Sequence, residues 1–452
     1  MSKRFQFLFQ HPAPYIHGRF VPTQGPKRQL INPVNEQVLC EYNETTQTEL
    51  DAALLSAHSV QGWEDARYRR DCLLKLADQL ACHDHDLAYL ESQQTGKSLP
   101  DALDEVSDTV DCFRHFAGYC DKPLGTALGL SAWTVREPLG IVALITSFNY
   151  PLMLAGWKLA PALAAGNRCL LRPAPQTPLT SLALAELSNL PAGVLNVLPG
   201  GDVGVSQSLV SRADMTSFTG SSRVGQELMT RNHQMKPLVL ECGGKNAVIV
   251  CEDADLDLAA SQIASGAFSN AGQNCCAVSR VLVHSSLHDR LLEKLREHLD
   301  WECPLIDRVH YARVLKIMED YPERPVMAGK KRERGYVVPP TVYAHVEDGS
   351  DLAQEEIFGP VLCVLKPFVT LEEAVERANR SKYGLVAGVF SENYTQARQL
   401  ASELKVGTVW INTYNSTNNA LPFGGTKLSG LGKDLGKSAL DSFTFEKTVM
   451  VA

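Results

Sequence analysis

Gly140-Ile141-Val142-Ala143-Leu144-Ile145-Thr146-Ser147-Phe148-Asn149-Tyr150-Pro151 is the stretch that decides the fold. The apolar run Ile141 to Ile145 predicts a buried strand, Thr146 to Tyr150 a polar tip, and Pro151 the first turn of a helix, where proline's missing N–H costs nothing. The charge-free run from Pro138 to Trp157 has membrane length, but a spanning helix rarely carries Thr146, Ser147, Asn149 and two prolines, so it reads as strand, turn and helix. Working outward, the alternation continues with a strand at Cys169 to Leu171, a helix at Leu179 to Leu187, a strand at Gly193 to Val197, a helix at Gly204 to Leu209 and a strand at Met215 to Phe218. Such a βαβ succession implies a parallel sheet with helices on its faces.

A second α/β succession begins at Asn246 to Val250 and runs to the neighbourhood of Thr426, with helices expected at Leu256 to Asn270 and Ser286 to Leu299. Ahead of the first succession, Thr45 to Gln61 and Tyr68 to Leu90 read as helices. At 452 residues the chain exceeds one hydrophobic core, so two or three domains are expected. Ser131 to Arg136 and Ser442 to Val449 alternate like exposed edge strands, which invite pairing with another chain.

Chemistry concentrates where these segments meet. Phe268-Ser269-Asn270-Ala271-Gly272-Gln273-Asn274-Cys275-Cys276 sets a thiol after a polar, Gly-containing turn, and a thiol so exposed to free backbone N–H groups can act as a thiolate nucleophile. Glu241 ends an apolar run and meets Gly243-Gly244, a setting that desolvates a carboxylate and raises its pKa toward that of a base. Asn149, at the polar tip, can present an amide donor. A lone cysteine is more often packed core, which is the reading for Cys276, and a lone asparagine is more often a turn residue.

Together these residues resemble the aldehyde dehydrogenase superfamily, from Tyr15-Ile16-His17-Gly18 to Phe445-Glu446-Lys447-Thr448-Val449. Further matches are Phe218-Thr219-Gly220-Ser221-Ser222-Arg223-Val224-Gly225, Glu355-Glu356-Ile357-Phe358-Gly359-Pro360 and Pro422-Phe423-Gly424-Gly425. The resemblance implies a Rossmann-like coenzyme domain (1–119 and 139–242), a second α/β catalytic domain (243–428) and a small β oligomerisation element (120–138 and 436–452). It implies Cys275 as nucleophile, Glu241 as general base and Asn149 as part of the oxyanion hole. A nicotinamide dinucleotide, NAD or NADP, would be held by Ser147, Arg172, Pro175, Gly220, Ser221, Gly225, Glu356 and Phe358. Tyr150, Trp157 and Phe423 resemble positions lining an aldehyde tunnel. An aromatic tunnel could attract a cationic aldehyde, although it suits apolar ones equally, and Ser269 stands where aminoaldehyde enzymes often carry an aromatic residue.

The chain departs from the family pattern in Arg172-Pro173-Ala174-Pro175, where the family commonly has lysine at Arg172 and glutamate at Pro175. Pro175 can neither accept from the adenine ribose nor repel a 2′-phosphate, and Arg172 is a fork-shaped donor that suits that phosphate. The connection from Cys275 to Glu356 is also short, the contraction falling around Trp301 to Gly335, which is expected to trim helices on the far side of the catalytic domain. Thr95-Gly96-Lys97-Ser98 mimics the end of a P-loop but lacks its earlier glycine and reads as a helix C-cap. Gly430-Leu431-Gly432-Lys433-Asp434-Leu435-Gly436 has the wrong spacing for a dinucleotide fingerprint and reads as a decoy.

Composition bounds the rest. A net charge of −8 without a basic cluster argues against nucleic acid. The 12 cysteines are spread through apolar segments without a Cys-x-x-Cys pair, and the nearest histidine to Cys275 is His284, so zinc spacing is absent and a reducing cytosol is expected. The start, Met1-Ser2-Lys3-Arg4 onward, has no apolar core long enough for a signal peptide, and no membrane span is expected, so the location expected is cytoplasmic. A homodimer or homotetramer acting on a small-molecule aldehyde is the partner expectation. Two rival readings are a coenzyme-independent thiol esterase, which would need a histidine beside Cys275, and a catalytically silent relative, which should have lost one of Cys275, Glu241 or Asn149.

Overall fold

The strand Ile141–Ile145 lies at the centre of an eight-stranded sheet, as its uniformly apolar sequence requires. The computed structural model describes residues 5–122, 124–330 and 334–451. The basic start Met1-Ser2-Lys3-Arg4 lies outside them. On one side of Ile141–Ile145 pair Arg168–Arg172 and then Leu195–Val197; on the other pair Met215–Thr219 and then Leu238–Glu241, all parallel. The chain therefore reverses its direction of travel across the sheet between Ile141–Ile145 and Met215–Thr219. Ligand crevices of open α/β sheets form at the carboxyl ends of strands at such a switch point. Thr146 to Tyr150 and Gly220-Ser221 leave those ends side by side.

A second, seven-stranded sheet has Asn246–Val250 at its own switch point, flanked by Val278–Val283 and Val386–Phe390 in parallel. The two sheets are joined by the short connection from Glu241 to Asn246, so the end of the first sheet and the start of the second enclose the space between them. The first sheet is completed at that end by Gly430–Leu431, which returns late in the chain to pair antiparallel with Leu240 and Glu241.

The two segments expected to be free edge strands pair with each other instead. Ala132–Pro138 and Thr444–Met450 form a two-stranded antiparallel ribbon with seven residue pairs from Thr444↔Pro138 to Met450↔Ala132. Each strand satisfies one edge of the other, and the ribbon still exposes Trp133, Phe445 and Met450.

The helix expected at Tyr68 to Leu90 is two helices, Ala66–Cys82 and Asp84–Thr95. The break is at His83, and Asp84 and Asp86 in the next first turn favour a new helix N-terminus there through its dipole. The Thr95-Gly96-Lys97-Ser98 cap is present: Gly96 adopts the left-handed conformation (φ 81°) after Thr95. Among the described residues no helix is long and apolar enough to cross a membrane.

Candidate active site

Cys275 follows a tight turn built from three consecutive left-handed residues, Asn270 (φ 51°), Ala271 (φ 55°) and Gly272 (φ 67°). Only glycine fits the third position, because a Cβ there would overlap the Gly359 carbonyl. Beyond the turn the backbone is held by Asn246, whose amide donates to Cys275 O at 2.7 Å and Ala277 O at 2.9 Å, and by Tyr414, whose hydroxyl donates to Cys276 O at 2.9 Å. Cys275 is left half-buried, facing the cleft. Cys276 is buried, and burial with the neighbouring Cys275 pushes its thiol well above the usual range, so it stays protonated.

The cleft holds a cavity of about 570 Å³ lined by Cys275, Glu241 and Asn149 together. Glu241 is only 4 % exposed, and neither carboxylate oxygen has a hydrogen-bond partner within the described chain. Burial, and next to it the charge of Asp434, raises its carboxyl well above the carboxylate range, while Lys158 opposes them. Lys158 and Asp434 form a buried ion pair at 2.9 Å, with Lys158 Nζ also donating to Ser217 Oγ at 2.8 Å. Sequence reasoning missed both. Lys158 sits inside the apolar helix Pro151–Ala164, where its lone charge was a readable anomaly, and Asp434 lies in the glycine-rich stretch set aside as a decoy.

Asn149 is also buried, with its side-chain oxygen unpartnered. The turn that carries it is tied from both sides, by Lys97 Nζ and by Asn270 Nδ2, each donating to the Asn149 carbonyl at 3.0 Å. Tyr150, Trp157 and Phe423 line the same cavity, the last two edge to face with centroids 5.2 Å apart.

Of the residues expected to hold a coenzyme, Ser147, Gly220, Ser221, Glu356 and Phe358 line this cavity. Ser221 caps the helix Ser222–Arg231, so the free N–H groups of a helix N-terminus, with Arg223 nearby, face the cavity end that a phosphate would occupy. Glu356 accepts from the Gly244 N–H at 3.0 Å, and burial raises its carboxyl. Phe358, at φ 56°, stands edge to face with Phe148.

Gly225 does not reach the cavity; it lets its helix approach Cys242, whose Sγ would lie 2.7 Å from a Cβ there. Arg172 is a correction. Its guanidinium is buried and donates to Ser206 Oγ (2.7 Å), Leu198 O (3.2 Å) and Asp202 O (2.9 Å), so it braces its own domain and presents no fork to a ligand. The half-buried guanidinium beside Pro175 belongs to Arg28. The two flank Gly201, where a Cβ would stand 2.7 Å from Arg28 Nη2 and 3.5 Å from Pro175 Cβ.

The shortened Trp301 to Gly335 region borders the site. Apart from residues 331–333, which lie outside the described residues, it contributes the helix Arg308–Asp320, and that helix faces the site. His310 Nε2 donates to Phe358 O at 2.7 Å, and Arg313 donates to Ile357 O at 2.7 Å and Glu356 O at 2.8 Å, so the helix fixes the Glu356 to Phe358 turn. Both side chains line the cavity.

A thiol, a buried carboxylate and an amide around one cavity are what attack on a carbonyl and hydrolysis of the adduct require. Comparison with known proteins agrees. The family model described as "Aldehyde dehydrogenase family" matches residues 20–449. A mitochondrial aldehyde dehydrogenase of Leishmania tarentolae is 38% identical over 472 residues, covering 97% of this chain and 94% of the relative. Retinaldehyde dehydrogenase 3 of Rattus norvegicus is 37% identical over 465 residues, covering 95% of this chain and 90% of the relative. Among solved structures, an NAD+ complex of an aldehyde dehydrogenase from Bacillus cereus superposes with a TM-score of 0.96 at 37% identity, covering 100% of this chain and 99% of the other. The agreement over almost the whole length, in sequence and fold alike, leads to one conclusion: this chain belongs to the aldehyde dehydrogenase family and is an enzyme that oxidises aldehydes.

Proposed function

We propose that Cys275 is the nucleophile, Glu241 the general base, and the Asn149 side-chain amide together with the Cys275 backbone N–H the oxyanion hole. The observation that carries the reading is the meeting of all three in one cavity with a buried, unpartnered Glu241 carboxylate. The Cys275 sulfur forms a bond to the aldehyde carbon, and the carbonyl π electrons move onto oxygen, where the two N–H donors stabilise them. A nicotinamide dinucleotide, when bound, supplies the acceptor for the hydride that leaves this carbon. Ser147, Gly220, Ser221, Glu356 and Phe358 would hold it. Glu241 then takes a proton from water as the water oxygen attacks the thioester on Cys275, the C–S bond breaks, and the acid departs from the regenerated thiolate.

The test is Glu241→Gln, which keeps the shape and removes the base. A burst of reduced coenzyme followed by slow turnover, with an acyl group on Cys275 seen by mass spectrometry, is expected. Unchanged steady-state turnover would overturn the role.

NADP is proposed beside NAD as coenzyme. Pro175 puts no carboxylate where the family resemblance sets the adenine ribose, and Arg28, with guanidinium donors beyond its ion pair to Glu44, lies next to it. For the aldehyde, Asp108 favours a cationic group. It lines the cavity that Trp157 and Phe423 also line, so a quaternary ammonium there would have aromatic side chains and a carboxylate in the same cavity. A trimethylammonio aldehyde should show higher kcat/KM than its neutral tert-butyl isostere, and Asp108→Asn should narrow the gap. Equal values in the wild type would remove the preference.

The chain divides in this reading into a coenzyme domain (1–119 and 139–242), a catalytic domain (243–428) and the ribbon (120–138 and 436–452). The exposed Trp133, Phe445 and Met450 support a homodimer or homotetramer built on that ribbon. All 12 cysteines are free thiols, which supports a reducing, cytoplasmic setting.

A further inference from the structure

The Asn149 carbonyl oxygen receives one N–H from each side of the cleft. Lys97 Nζ comes from the first domain and Asn270 Nδ2 from the turn ahead of Cys275, each at 3.0 Å. Asn270 Nδ2 also donates to Gln273 O at 3.2 Å, so the nucleophile's turn and the Asn149 turn share one side chain. Lys97 is an unusual group to find here. It is 3 % exposed, lies 4.4 Å over the Tyr150 ring, and is paired with the equally buried Glu105.

Glu105 in turn accepts from the Leu152 N–H at 3.1 Å and the Met153 N–H at 3.2 Å, the first turn of the helix that follows Asn149. Glu91 accepts from Gln94 at 2.8 Å behind it. Burial alone would push the Lys97 ammonium down, but Glu105 and Glu91 outweigh it and keep it charged. Burial, and next to it the charge of Glu105, pushes the Glu91 carboxyl well up. Gly96 fixes the direction from which Lys97 arrives, since any Cβ at its φ of 81° would overlap Pro304. A buried ion pair adds little to stability compared with apolar packing. What this one does touch is the peptide of Asn149 and the start of the helix beyond it.

We propose that Lys97 and Asn270 are positioning residues for the oxyanion-holding amide, clamping the Asn149 peptide across the cleft so that its side chain is aimed at the carbon attacked by Cys275. The inference rests on the oxyanion role given to Asn149 above. The side-chain amide of an asparagine follows its own peptide plane, so a carbonyl released from two donors lets the amide swing. A misplacement of about 1 Å costs on the order of 100-fold in rate.

The experiment uses the full-length enzyme with Lys97→Met, Asn270→Ser, Asn149→Ala and the double variant Lys97→Met/Asn149→Ala. The burst rate of reduced-coenzyme formation is measured together with the KM for coenzyme, the rate of Cys275 alkylation by iodoacetamide, and the melting temperature. Lys97→Met should slow the burst by roughly 10- to 100-fold while coenzyme KM and alkylation stay within about twofold, because coenzyme site and thiol are intact. The double variant should be no slower than Asn149→Ala alone, since residues acting through one group are not additive. A Lys97→Met enzyme that melts earlier but bursts at the wild-type rate would show a structural role only and overturn the proposal. So would a double variant that loses the product of the two single effects. If Lys97→Met does not fold, Asn270→Ser reaches the same carbonyl from the other side and must slow the burst; an unchanged burst there is equally fatal. A wild-type burst in Asn149→Ala would instead remove the oxyanion assignment itself, which separates the two failures.

Discussion

Asp434→Asn should shift the acid limb of the pH–rate profile to lower pH. Asp434 is buried, its Oδ2 takes the Lys158 ammonium at 2.9 Å, and its Oδ1 has no partner. Its backbone exchanges hydrogen bonds with Phe423 at 2.7 and 2.8 Å, so an isosteric amide leaves the chain path intact. The carboxyl of Glu241 is raised by burial first and by Asp434 next, with Lys158 opposing. A like charge in a desolvated site disfavours the carboxylate form, and pairing with Lys158 cancels part of that effect, so removing the Asp434 charge lowers the Glu241 carboxyl. Glu241 must be ionised to take a proton, so activity falls as pH drops through its pKa. Lowering that pKa leaves more ionised base at a fixed pH on the limb, about tenfold for each pH unit by which the limb moves, although the weaker base lowers the plateau. Lys158→Met removes the opposing charge and should move the limb the other way. It also strands Asp434, at a cost of about 3 to 5 kcal/mol, so its melting temperature must be checked first. The assay is kcat from about pH 5 to 9, with a burst confirming that deacylation limits turnover. A limb that stays put, or moves in the same direction in both variants, would refute the electrostatic account of the base.

Cys275→Ala should abolish aldehyde oxidation and Cys276→Ala should retain most of it; the reverse result in the same spectrophotometric assay would sink the assignment. Pro175→Glu should swing kcat/KM toward NAD by about tenfold, some 1.4 kcal/mol, and Arg28→Ala should weaken NADP alone. Ratios unmoved in both would place coenzyme choice elsewhere. Glu91 has a folded-state pKa above its unfolded value, so its contribution to stability is full below the unfolded value and fades as pH rises through the folded one. Glu91→Gln should therefore gain melting temperature relative to wild type as pH rises above the ordinary carboxylate range, and a widening loss would contradict the raised carboxyl there.

The residues legible in the sequence are those where chemical type breaks pattern: a thiol after a glycine turn, a carboxylate ending an apolar strand, an amide between strand and helix-opening proline. Asn149 follows a strand that ends at a sheet's switch point, where side chains face a crevice, while Glu241 ends its own strand and Cys275 lies in a connection, both bordering the same cavity. The supporting groups were hidden for the opposite reason. Lys97, Glu105, Lys158 and Asp434 come from four separate segments, and only packing makes them neighbours. Arg172 was misread because a sequence says that a guanidinium has donors to spare but not that Ser206, Leu198 and Asp202 will take them. The His83 break carries no glycine or proline, and its signal, two aspartates opening a turn, is weak inside a continuous apolar stripe.

The pairing of Glu241 with Gly430 ties the base to the order in which the chain is made. When the first α/β unit leaves the ribosome, its last strand, Leu238–Glu241, is a bare sheet edge, and it stays so until Gly430–Leu431 is synthesised near the end of the 452 residues. Contacts so distant in sequence close slowly, and an open edge is a site for wrong pairing in the interval. The strand that closes the edge is followed by Asp434, so the group that helps tune Glu241 arrives with it. A chain cut short of Gly430 thus lacks the closing strand and the tuning carboxylate together, and its Glu241 sits at an open edge without Asp434.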